Sequence, residues 1–151
     1  MNFRKKLPFL IYIANVIFLI ATGLIFQFSN EFLPFHSDVI ETSWENLDSK
    51  SQTLYLGMMR TEAAGFLATA TAIIFLLFIP FRKYEKWSYW AIPTIGIVEY
   101  IPTFFANYHV STVSLASPPW QLMLLLIVSM LFALILSLMS YEEIRNINEN
   151  I

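Results

Sequence analysis

At 151 residues, 57% of them hydrophobic and only 13% charged, the chain carries about half the charge of a soluble domain, where about 25% is usual. A formal net charge of -2 without a basic patch excludes a nucleic-acid partner. The absence of cysteine excludes disulfides, thiolate metal sites and thiol redox chemistry.

Four apolar stretches, 7–29, 54–79, 88–109 and 119–140, each reach the roughly 20 residues that a helix needs to cross a hydrocarbon layer of about 30 Å. The first follows Arg4, Lys5 and Lys6. Its apolar run exceeds the 7–15 residues of a signal-peptide core, and no small-x-small pattern surrounds 26–30, so it reads as an uncleaved span. Asn15 and Gln27 within it are expected to hydrogen-bond to neighbouring helices. In the following segment, 30–53, Val39, Ile40, Trp44 and Leu47 recur at helical spacing between acids. That pattern predicts either a short amphipathic helix along the outer interface or a loop with apolar anchors. Ser49-x-x-Gln52 has the form of a capping box opening the second span.

In the second span Gly57, Thr61, Ala64, Ala68 and Thr71 share one narrow helical face. Small residues at that spacing let backbones approach closely, which predicts that this face packs against other helices. Arg60 leaves the edge of the same face and is expected to point into the bundle, whereas Glu62 falls on the far side and reads as interfacial. Pro80 is expected to stop the span, and the basic, aromatic stretch 81–87 turns the chain into the third span.

Glu99 sits near the middle of the third span, between Pro93 and Pro102. Each proline frees a carbonyl one turn earlier, so Val98 is expected to offer one beside Glu99. Thr103 shares the Glu99 face, and Asn107 and His109 follow toward the outer end. Arg60 lies about 9 Å and Glu99 about 15 Å from the outer ends of their spans at 1.5 Å per residue, a gap that an arginine side chain bridges. An Arg60–Glu99 pair is therefore predicted, as a pocket or as a structural lock, with snorkelling of Arg60 toward Glu31 as the alternative. The candidate pocket residues are Arg60, Glu99, Thr61, Thr103, Asn107 and His109. His36 and His109 are too few and too scattered for a metal or haem site, and no metal or cofactor is expected. Pro118 and Pro119 open the fourth span, in which only Gln121 and Ser129 interrupt the apolar run before Ser137. Tyr84, Trp87, Tyr89 and Trp90 form one aromatic belt, Tyr108 and Trp120 the other.

Seven basic residues (Arg4, Lys5, Lys6, Arg82, Lys83, Lys86, Arg145) fall on the side of the termini and the second loop, against Lys50 alone opposite. The positive-inside bias places both termini in the cytoplasm. The expected fold is thus all-α: one transmembrane domain over 1–151, an antiparallel, up-down four-helix bundle of the cytoplasmic membrane.

The layout of four spans, a first outer loop with a tryptophan and the stretch Leu56-Gly57-Met58-Met59-Arg60-Thr61-Glu62-Ala63-Ala64-Gly65 resembles the DoxX-like group of small bacterial membrane proteins. The resemblance implies the bacterial inner membrane, and some members are tied to quinone-linked sulfur oxidation. It assigns no functional residue.

No G-x-S-x-G elbow is present, and four glycines supply no phosphate-binding loop. The expected function is binding of a small amphiphile (a lipid, quinone or hydrophobic ion) in an outward-facing pocket around Arg60 and Glu99. The alternatives are a proton-coupled small-molecule transporter using Glu99, a membrane enzyme in which Glu99 is a general acid or base toward a lipid-like substrate, and a purely structural accessory subunit. Membrane lipid is the expected surrounding partner, with room for a homodimer or a partner subunit.

Overall fold

The computed structural model describes residues 3–149, with side chains described over 6–141. Arg4, Lys5 and Arg145, on which the expected orientation partly rests, lie outside the described side chains. The chain is all-helical, with no strand among the described residues. The helices are α1 (Phe3–Phe28), α2 (Pro34–Ile40), α3 (Ser49–Leu76), α4 (Lys86–Val113) and α5 (Trp120–Glu149). Three segments, Lys6–Phe28, Ser49–Phe81 and Trp120–Tyr141, are long and apolar enough to cross a membrane. At 28 residues α4 matches them in length. It falls short in composition, because its polar residues and two prolines dilute the apolar run.

Each long helix packs on two others: α1 on α3 and α5, and α4 on α5 and α3. One core runs between all four, with Tyr12, Leu19, Phe66, Ile73, Ile92, Tyr100 and Met130 fully enclosed. Asn15 ties α1 to α5: its amide donates to Ser129 Oγ at 3.0 Å and to the Ile11 carbonyl at 2.9 Å. Tyr100, Gly96 and Ile92 seat α4 on the core, with Met130 of α5 packed onto Gly96.

Several details depart from the sequence expectations. The stripe Gly57, Thr61, Ala64, Ala68 and Thr71 does not pack inward: all five are exposed. The buried stripe of α3 is Met59, Ala63, Phe66, Ala70 and Ile73, on the opposite side of the helix. The physical reason is contact area. Phenylalanine, methionine and isoleucine each make many dispersion contacts when enclosed, whereas a strip of glycine, alanine and threonine makes few. The predicted stop at Pro80 is a widened π turn instead, Leu77–Phe81, which carries the chain past the proline. It buries Pro80 and Phe81, and the Phe81 ring meets Tyr12 and Tyr89 edge to face.

The single amphipathic helix expected around 39–47 is divided into α2 and a 3-10 turn, Trp44–Asn46. Glu41 ends α2 in the left-handed region at φ 52°. Ile40, Trp44 and Leu47 still face inward, against a small cluster of Phe26, Phe32, Met59 and Ala63. Phe32 pins the segment through edge-to-face contacts with Trp44 at 5.1 Å and Tyr55 at 5.5 Å.

The predicted capping box is also corrected. Asp48, not Ser49, caps α3, accepting from the Lys50 and Ser51 backbone N–H groups at 2.9 and 3.1 Å and from the Ser51 hydroxyl at 2.6 Å. Gln52 instead donates to the Trp44 carbonyl. Asp wins the position because its ionised carboxylate satisfies two free N–H groups and the positive helix end together. The Ser51 hydroxyl, and then the two N–H groups, hold the Asp48 carboxyl below its ordinary range. Such a depressed group adds stability above the ordinary carboxylate range, and that share is lost as pH falls through it. Asp48→Ala is therefore expected to speed hydrogen exchange of the Lys50 and Ser51 amides at pH 7, with an effect that shrinks only as pH falls below the ordinary carboxylate range and through the depressed folded value. Acceleration that does not shrink even at pH values well below the ordinary carboxylate range would show that the cap does not depend on the ionised carboxylate.

Candidate functional site

A cavity of about 510 Å³ opens among the four long helices at the α2 end of the molecule. Phe18, Thr22 and Phe26 of α1 and Glu62 and Phe66 of α3 form one side. Pro102, Thr103, Ala106 and Asn107 of α4, with Leu122 and Met123 of α5, form the other. Leu33, Phe35 and His36, at the start of α2, close over it together with Pro119. The site owes its existence to local sequence. Phe32 anchors the segment before α2, and Pro34 starts the short helix directly over the gap. On the walls, Phe26 and Phe66 meet edge to face at 6.0 Å, which sets the α1–α3 spacing there.

The polar groups are few and spread around the wall, as in small-molecule sites that are mostly apolar with a handful of placed polar atoms. Glu62 contributes a carboxylate that makes no hydrogen bond or ion pair among the described residues. His36 is partly buried, and its Nδ1 accepts the Leu33 backbone N–H at 3.1 Å. Burial pushes its pKa below the ordinary value, so at neutral pH the imidazole is uncharged. With Nδ1 the acceptor, the ring proton sits on Nε2 and leaves one donor. Asn107 and Thr103 add an amide and a hydroxyl, although the Thr103 hydroxyl is engaged with the Glu99 carbonyl at 3.1 Å.

Of the six residues expected to form a pocket, Thr103 and Asn107 line this cavity, and the structure does not bring the others to it. The Arg60–Glu99 pair is not made. Arg60 is exposed, and Glu99 turns the other way, toward α4's contact with α3. There the Glu99 carboxylate lies over Gly65, whose missing Cβ would sit 3.5 Å from Oε1, and accepts the Thr69 hydroxyl at 3.1 Å. Arg60 and Thr69 are nine residues apart, which at 3.6 residues per turn puts them roughly 180° apart around α3. Arg60 was expected to point inward from the edge of the small-residue face of α3, and with that face exposed Arg60 turns away from α4. Thr61 is exposed and bonds back to the Gly57 carbonyl of its own helix. His109 is exposed beyond the rim. Val98 turns its side chain outward, 67% exposed.

Glu62 and His36 were not expected in the site. For Glu62 the signal lay in the sequence: Glu62, Gly65 and Thr69 share a face at i, i+3 and i+7, a polar stripe against α4. No sequence signal places His36, since a loop's return over the bundle is a tertiary event. Among the described residues no group of three or more His, Cys, Asp or Glu could hold a metal ion. Comparison with protein families, with curated proteins and with solved structures finds no match to this chain.

Proposed function

We propose that this chain is a multi-pass protein of the cytoplasmic membrane that binds a small amphiphile in the cavity beneath α2. The supporting architecture is an up-down four-helix bundle with both termini inside, α4 forming the fourth span. Contacts such as Phe9–Phe81, Glu99–Thr69 and Tyr89–Tyr141, each pairing the start of one long helix with the end of its neighbour or the middles of two, favour that reading. The positive-inside bias supplies the direction. The DoxX-like layout is consistent with the same proposal.

The observation that carries it is the cavity itself. Its volume of about 510 Å³ falls in the roughly 300–1,000 Å³ range of small-molecule sites, and its walls come from every long helix. Phenylalanine, leucine, methionine and proline suit an apolar tail, and the polar groups near α2 suit a head. Glu99, bonded by Thr69 across the α3–α4 contact, serves as a positioning group that holds two helices together, not as a wall of the cavity.

Filling the space tests this. Ala106→Trp or Thr103→Trp should abolish co-purification of a small molecule detected by native mass spectrometry, while the circular dichroism spectrum and elution volume stay those of the wild type. A bound molecule that persists in both variants would place the ligand elsewhere. Loss of the wild-type spectrum in both would be resolved by Leu122→Trp, from α5.

A further inference from the structure

Resting on the cavity reading above, we infer that the amphiphile is an organic cation, with Glu62 as its counter-ion. Glu62 is the one acid among the residues lining the cavity, and no lysine or arginine lines it. Glu62 is exposed on the open side of the cavity, and a carboxylate at bilayer depth is costly unless water, a positive partner or several donors meet it. The protein supplies neither partner nor donors. Arg60, two residues earlier, leaves α3 on another side and is exposed. His36 is held neutral by burial. Glu99 of α4 lies over Gly65, on the same face of α3 as Glu62, and supplies another carboxylate there, not a positive partner.

The walls complete the match. Phe18, Phe26, Phe35 and Phe66 line the same space, and the negative faces of aromatic rings attract a cation desolvated beside them. An anionic head would meet Glu62 without a compensating charge, and a neutral head would leave Glu62 unpaired. A quaternary or protonated amine with an apolar tail satisfies carboxylate and rings at once. The rings also favour a large, weakly hydrated cation over a small metal ion, which would lose its water shell to find few oxygen ligands.

The test compares head groups on one tail. Decyltrimethylammonium, 1-decanol and decyl sulfate are titrated into the full chain in lipid nanodiscs by calorimetry, with empty nanodiscs as blank. Wild type is expected to bind the cation about tenfold to a hundredfold more tightly than the alcohol, the range of one charge-assisted contact. Glu62→Gln should erase that preference and leave alcohol binding unchanged, Glu62→Asp should keep part of it, and Arg60→Gln should alter neither. Equal binding of cation and alcohol to wild type, or a preference that survives Glu62→Gln, would overturn the cation while leaving the cavity in place. If Ala106→Trp does not weaken any probe, or none binds wild type, the cavity reading falls and the cation with it.

Discussion

Gly23→Val is expected to lower the thermal midpoint of the purified protein by several degrees, while Gly57→Val leaves it nearly unchanged. The two glycines sit on neighbouring long helices and differ in what surrounds them. A Cβ on Gly23 would lie 2.8 Å from Leu67 Cγ, 3.0 Å from Leu67 Cδ2 and 3.4 Å from the Ala63 carbonyl oxygen. Leu67 Cγ is the branch carbon, so rotating the outer torsion does not move it away. The inner torsion would have to change, or α1 would have to back off α3, its most extensive contact. Overpacking of this kind costs about 1–3 kcal/mol, which for a chain of this length corresponds to roughly 2–10 °C. A Cβ on Gly57 meets nothing within 4 Å. A scan of both variants by intrinsic fluorescence decides the matter. Should Gly57→Val be the damaging one, the small-residue face of α3 is buried after all, and the helix is rotated by half a turn from its place here.

Phe66→Ala is the second substitution with a large expected effect, because the ring belongs both to the core and to the cavity wall. Phe66 is 2% exposed, packs on Phe26 and lines the site. Truncation of a buried phenylalanine costs about 3–5 kcal/mol in soluble proteins. In lipid the lower end applies, because the water-transfer part largely vanishes and the lost packing remains. The space released joins the cavity. The variant should therefore melt earlier and also shift its preference among alkyltrimethylammonium probes toward a longer chain. The second readout separates the cavity from plain destabilisation, since a core residue remote from the site, such as Ile73, would lower stability without changing chain-length preference. Phe66→Ala with an unaltered preference would mean that the tail lies elsewhere.

How much was legible beforehand differs by level. The all-helical class and the three segments apolar enough to cross a membrane were readable because they depend on runs of apolar residues longer than the bilayer needs. The short segment over the bundle was readable only as a pattern: Ile40, Trp44 and Leu47 do face inward, but the break at Glu41 depends on a left-handed turn no periodicity announces. The expected pocket residues divide by helix face and depth. Thr103 and Asn107 line the cavity, while Arg60, Thr61 and His109 are exposed away from it and Glu99 spends its carboxylate on Thr69.

By itself the order of residues determined an all-helical chain with segments apolar enough to cross a membrane, since hydrogen-bond satisfaction in hydrocarbon leaves a single chain of this kind little other choice. It did not determine which way each helix turns. In lipid, an apolar face is at home against a neighbour or against acyl chains, so hydropathy cannot tell inside from outside, and the choice falls to how well bulky side chains interlock. That interlocking turned Met59, Phe66 and Ile73 inward and Gly57 outward. The same rotation carried Glu62 to the cavity and Arg60 away from it.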